Sequence, residues 1–210
     1  MRGLKILLTG FEPFDGEAIN PAWEAVKRLS REGIEGIEII CKQVPTVFGI
    51  SISQAITATD LHQPDIVIAV GQAGGRSAIS IERVALNVND AGIPDNENNQ
   101  PLDTPVLEGA PAAYFSTLPI KAMVEAIRQA GIPASISNTA GTFVCNHLMY
   151  GILHHIAENQ LPIQAGFIHL PYLPEQAVNH RGAPSMGLSD MVVALKVAVT
   201  VAAQLRIPPR

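Results

Sequence analysis

Short apolar runs and longer amphipathic stretches alternate along the chain. Strand-like runs stand at 5–11 (KILLTGF), 37–44 (IEIICKQV), 65–71 (DIVIAVG), 78–88 (AISIERVALNV), 134–140 (ASISNTA) and 164–170 (QAGFIHL). Several are apolar on both alternating sets of positions, as strands covered on two faces are. Between them the apolar period lengthens to that of a helix. Asn20-Pro21 offers a cap and a first-turn proline for a helix over 21–32, Leu118 to Ala130 ends at Gly131, and 145–158 and 188–206 complete the set. Regular alternation of the two kinds predicts an α/β fold around a mostly parallel sheet. The stretch 89–117, rich in Pro, Asn, Asp and Gly, has no period. A loop that long in a compact domain is a functional segment, a lid or a surface excursion.

Composition narrows the class. With 210 residues, 47% of them hydrophobic, the chain can bury a full core as one domain over 1–210. The apolar run 191–205 carries Lys196 and is shorter than the roughly 20 residues of a membrane span, so it reads as a helix with a buried face. A net charge of −5 without clustered Lys or Arg argues against nucleic acid or an anionic membrane as partner. Cys41 and Cys145 are the only cysteines, and the N-terminus has no secretory pattern, which points to a reducing cytoplasm.

Cys145 stands where the small residues of 137–142 give way to an amphipathic helix. At about 100° per residue it begins an inward stripe continued by Leu148, Met149, Ile152 and Ile156. A buried inert cysteine is one reading. The other is a nucleophile, since free N–H groups and the positive end of the helix dipole favour thiolate. His147 and His154 fall on the far side of the wheel with Tyr150 and Glu158, a stripe that reads as an exposed polar face, and no metal-ligand spacing is present. His169 ends a strand at the edge where helix starts gather, so it is either a hydrogen-bonded core residue or the base for Cys145. Strict alternation over 78–88 puts Glu82 beside Val84, Leu86 and Val88. A carboxylate there needs a partner, either an arginine such as Arg76 or Arg83, or His169 in a Cys-His-acid arrangement. Phe11, Phe14 and Phe143 lie near the same sheet end and form either a core cluster or an apolar ring pocket. The turn VGQAGGR (70–76) lacks the pattern of a nucleotide-binding loop.

The stretches LLTGFEPFDG, NPAW, VGQAGGR, IERVALNVNDAGIPDN, AGTFVCNHLMYG and GFIHLPYLPEQ together closely resemble the pyrrolidone-carboxylate peptidase (pyroglutamyl-peptidase I) family across nearly the whole chain. The resemblance implies a single-domain, three-layer α/β/α sandwich. It implies a cysteine exopeptidase that removes N-terminal pyroglutamate, with Glu82, Cys145 and His169 as catalytic residues, the three reached above. It further implies a ring pocket of Phe11, Phe14 and Phe143 walled by Thr46, Ile93 and Val144, with Gln72 near the lactam. N-terminal pyroglutamyl peptides would be the substrates of a cytoplasmic homotetramer without cofactor or metal. One departure stands out: the family's D-A-R-I-P-D-N reads DAGIPDN here, with Gly92 in place of arginine and Arg83 or Arg76 as substitute cations.

Overall fold

The computed structural model describes residues 3–206; the first two and last four positions of the single domain read over 1–210 lie outside the described residues. The strands are β1 (Leu4–Phe11), β2 (Ile37–Val44), β3 (Ile66–Gln72), β4 (Ile79–Glu82), β5 (Val84–Leu86), β6 (Ala113–Phe115), β7 (Ala134–Ser137) and β8 (Gln164–Leu170). The helices are α1 (Pro21–Glu32), α2 (Ile50–His62), α3 (Ile120–Gln129), α4 (Val144–Glu158), α5 (Pro174–Ala177) and α6 (Leu188–Gln204). Six strands form one sheet in the order β2-β1-β3-β8-β4-β7. All its pairings are parallel except β4 on β8. Strands β5 and β6 form a separate antiparallel ribbon.

Two apolar layers sandwich the sheet. On one face α1, α3 and α6 cover Ile6, Leu8, Ile68, Ile81 and Ile168; on the other α2, α4 and the ribbon cover Leu7, Ala69 and Phe167. This is the expected α/β/α sandwich, and it explains why β3 and β8, central and covered twice, are buried at every residue. The start of α1 follows its sequence: Asn20 Oδ1 accepts from the Ala22 amide at 3.0 Å, and Ala22, Ala25, Val26 and Leu29 form the buried stripe. No helix among the described residues is long and apolar enough to cross a membrane.

Three expectations need correction. Helix α2 was not among the helices expected. Its buried side is Ser51, Ala55, Ala58 and Thr59, small or polar residues that leave no apolar stripe to read. The strand expected over 78–88 breaks at Arg83, where the chain leaves the main sheet to pair with β6, so Glu82 does not share a face with Val84 and Leu86 as one continuous strand would require. The aperiodic stretch 89–117 contains β6 and is pinned to the body: the Asp90 amide donates to the Thr142 carbonyl, and Asn96 Nδ2 donates to Glu12 Oε1 and the Pro13 carbonyl, each at 2.9 Å.

Candidate active site

Helix α4 opens with Phe143 at its cap position, and no side chain caps it. Its first-turn amides are therefore open to an incoming acceptor. Cys145, in that turn, directs its sulfur down onto the sheet. A Cβ built on Gly71 would lie 2.9 Å from Sγ, so the sulfur occupies the space a side chain at position 71 would need. Gly71 pairs with His169 on the adjacent strand, which sets the histidine's backbone one strand spacing, about 4.8 Å, from the glycine under the sulfur and its side chain on the same face.

Register also supplies the acid. Ser80 pairs with His169 across the antiparallel β4–β8 ladder, so Glu82, two residues on and on the same face, is its diagonal neighbour. Because β4 runs against β8, Glu82 sits one pleat deeper than the histidine and is fully buried. Its Oε1 accepts from His169 Nδ1 and from Arg76 Nη1, both at 2.7 Å. The ion-pair and catalytic readings of Glu82 thus hold together on one oxygen. Arg83 instead turns to Asn138 Oδ1, so Arg76 is the guanidinium at the site. Gly92 is exposed, and a Cβ there would meet nothing within 4 Å.

The electrostatics define the resting protonation. Burial raises the Glu82 carboxyl, but the hydrogen bond and charge of His169, with Ser137 and Arg76, outweigh it and hold the group below its ordinary value. Burial lowers His169, and Arg76 adds to this, while the bond to Glu82 opposes it. Burial and then Glu82 push the Cys145 thiol up to about 12, Arg76 pulling the other way. The helix-start thiolate expected from the sequence is therefore not the resting state: the thiol and the imidazole both rest neutral, beside an ionised Glu82.

At the start of α4, aromatic rings pack on Phe143 to form a wall. Phe14 packs on Phe143 with centroids 6.1 Å apart, and Phe48 stands edge-on to Phe143 at 5.4 Å. Phe11 is deeper, buried against Phe167 at 6.4 Å, and Val144 belongs to the same core layer. Thr46 is buried and donates through Oγ1 to the Glu12 carbonyl at 3.1 Å, while Ile93 sits half-buried on the 89–104 segment. Gln72 is the exception. It pairs with Leu170, one step out of phase with Gly71, and its side-chain oxygen accepts from Gln176 Nε2 at 2.9 Å on the other side of the sheet edge. The side chain is thus not among those gathered at the sulfur; what position 72 has near Gly71 is backbone.

The far stripe of α4 is not an exposed polar face. His147 and Tyr150 are buried under the ribbon and the 89–117 segment, Tyr150 donating to the Pro111 carbonyl at 2.6 Å and His154 Nδ1 bonded to Tyr114 at 3.0 Å. Phe48 and Gly71 stand at the candidate site although sequence reasoning passed over them, whereas Arg76 was already a candidate partner of Glu82 and is found bonded to it. A phenylalanine just past a strand end was the available signal for the first, while Gly71 needed the register. A cavity of about 720 Å³ lies at the opposite sheet end among Asp65, Pro162 and Arg206 and holds none of these residues.

The chain is similar over nearly its whole length to known proteins. The family model described as pyroglutamyl peptidase matches residues 4–205. A pyrrolidone-carboxylate peptidase of Erwinia tasmaniensis is 61% identical over 197 residues, 94% of this chain and 92% of that protein. The crystal structure of pyroglutamyl peptidase I from Bacillus amyloliquefaciens superposes with a TM-score of 0.94 at 52% identity, covering 98% of this chain and 99% of that one. A mutant pyrrolidone carboxyl peptidase from the hyperthermophile Pyrococcus furiosus gives 0.94 at 45% identity over 97% of this chain and 100% of its own. With a thiol, an imidazole and a carboxylate at one sheet edge and a match over nearly its whole length, the chain belongs to the pyroglutamyl peptidase family of cysteine peptidases.

Proposed function

We propose that the protein hydrolyses the bond after an N-terminal pyroglutamyl residue through a Cys145-His169-Glu82 triad and an acyl-enzyme. The observation that carries this is the sulfur seated over Gly71 beside a histidine whose Nδ1 is held by Glu82 at 2.7 Å. With Nδ1–H donated to Glu82, Nε2 is left as the proton acceptor. It takes the thiol proton as Sγ attacks the carbonyl, so proton transfer and attack proceed together from the neutral pair. The open amides at the start of α4, that of Cys145 among them, hold the oxyanion; one such donor lost costs on the order of 100 to 1000-fold in other enzymes. Collapse breaks the C–N bond, the leaving amine takes the proton from Nε2, and a pyroglutamyl thioester remains. Water then gives a proton to Nε2, attacks the thioester, and releases pyroglutamate and the thiol.

The aromatic wall supports the substrate class. A lactam carries no charge, so a cleft of Phe14, Phe48 and Phe143 suits it, and peptide N-termini blocked as pyroglutamate are the substrates. Two free cysteines fit a cytoplasmic location. Phe115, 68% exposed, suits a subunit contact in the homotetramer, which a sedimentation mass of one chain would contradict. Release of a chromophoric amine from a pyroglutamyl amide tests the reaction. Wild type should turn over and lose activity on alkylation, and Cys145→Ser should show less than about a thousandth of the wild-type rate. Undiminished turnover by the serine variant would sink the thiol mechanism.

A further inference from the structure

His147 lies two residues beyond Cys145 and is buried, and its ring hydrogen bonds go to Gly49 and Asn89 and not to Glu82 or His169. Its ring joins three segments. The Gly49 amide donates to Nε2 at 2.8 Å, which makes Nε2 an acceptor and leaves the ring proton on Nδ1. That N–H donates to Asn89 Oδ1 at 2.9 Å. Asn89 is itself fixed, bridged to Thr104 through the backbone and donating from Nδ2 to the Pro105 carbonyl at 3.2 Å. Against the ring stands Phe48, edge-on with centroids 5.2 Å apart, and Phe48 in turn meets Phe143. One imidazole in one tautomer therefore sets the spacing of the α4 start, which carries Phe143 and Cys145, the 45–49 turn, which carries Thr46 and Phe48, and the 89–104 segment, which carries Ile93.

We propose that His147 is a positioning residue for substrate binding, holding the aromatic wall of the ring pocket in place and acting on KM and not on the chemical step. The inference rests on the reaction proposed above. It carries a pH signature. A second ring proton would set an Nε2–H donor against the Gly49 N–H donor, and the turn bearing Phe48 would have to move. Burial alone holds His147 down, to about 4. The ionisable groups on the surrounding elements, Asp90 and Asp95 on the loop and Cys145 and His154 on α4, do not shift it. The wall is thus intact at neutral pH and loosens as pH falls toward 4.

The test compares wild type, His147→Phe, which keeps a ring against Phe48 without either hydrogen bond, and His147→Gln, which can restore an acceptor for Gly49. KM for a pyroglutamyl amide, the inhibition constant of 2-pyrrolidone, and kcat are measured from pH 7 to pH 4, with folding checked by circular dichroism. At pH 7, His147→Phe should raise KM and the inhibition constant about tenfold with kcat within about threefold, and His147→Gln should recover part of the loss. In wild type both constants should rise below pH 5. Constants unmoved in a folded His147→Phe, or a loss confined to kcat, would overturn the inference. If neither variant folds, the wild-type inhibition constant decides alone, a flat profile to pH 4 counting against it. A wild type without turnover would overturn the reaction and this inference with it, whereas an active wild type with an unmoved His147→Phe overturns this inference only.

Discussion

A methyl group at position 71 would share space with the Cys145 sulfur at 2.9 Å and the Phe167 ring at 2.7 Å, and the ring is held between Phe11 and His169. The sulfur is the freer of the two to move. Gly71→Ala should therefore keep the fold and lower kcat/KM by about 100-fold, the usual consequence of an ångström's misplacement of a reacting atom; activity within a factor of three of wild type would show that the sulfur has another seat. In the proposed mechanism Glu82 acts one step further from the substrate. Glu82→Gln keeps an oxygen for His169 but loses the charge that stabilises the imidazolium, so kcat should fall on the order of 10³ to 10⁴-fold. Because Glu82 raises His169, its removal should also move the acid limb of the rate–pH profile to lower pH. A limb that stays put or moves up would mean that Glu82 does not set the histidine's basicity. Cys145, His169 and Glu82 were each legible as candidates because few residue types can do this chemistry. What the sequence hid was Gly71, whose role is an absence of atoms.

At the scale of elements, helix against helix decides how firmly α4 presents its first turn. Gly151 of α4 faces Ile52 of α2 so closely that a Cβ would lie 2.4 Å from Ile52 Cδ1. Gly151→Val should overpack this contact and destabilise the protein by about 1–3 kcal/mol, read as a lower urea midpoint. An unchanged midpoint would mean that α2 yields freely. The same contact explains why α2 was missed. A helix that buries small and polar residues against a glycine carries little periodic signal, and Ile and Thr in its sequence favour strand on propensity. The helices α1 and α4, with full apolar stripes, were legible almost to the residue. The break at Arg83 was not, because alternation continues through it while the partner strand changes.

For the whole molecule, the buried ionisable groups set a stability window. His147 and His169 lie below the ordinary 6.5, so the unfolded chain takes up protons before the folded one does, and stability is lost as pH falls from about 6.5. For His147, moving from 6.5 to about 4, the loss amounts to about 3 kcal/mol. Glu82 and Asp95, both lowered, add a further loss below the ordinary carboxylate range. The Cys145 thiol works in the other direction: raised from 9.0 to about 12, it keeps its proton in the fold, and stability declines as pH rises above 9. Urea midpoints should thus be highest between about pH 6.5 and 9 and fall on both sides; a midpoint at pH 4.5 equal to that at pH 7 would contradict the burial of both histidines. The amino-acid sequence by itself determined the layered α/β class, most of its elements and the residue types of the proposed reaction, because apolar periodicity and side-chain chemistry are local properties. Only the tertiary structure decided that β4 runs against β8 and buries Glu82 one pleat below His169, that Gln72 turns away while Phe48 joins the wall, and that the thiol rests protonated. Each of those depends on which distant segments meet, and desolvation and register are set by that meeting.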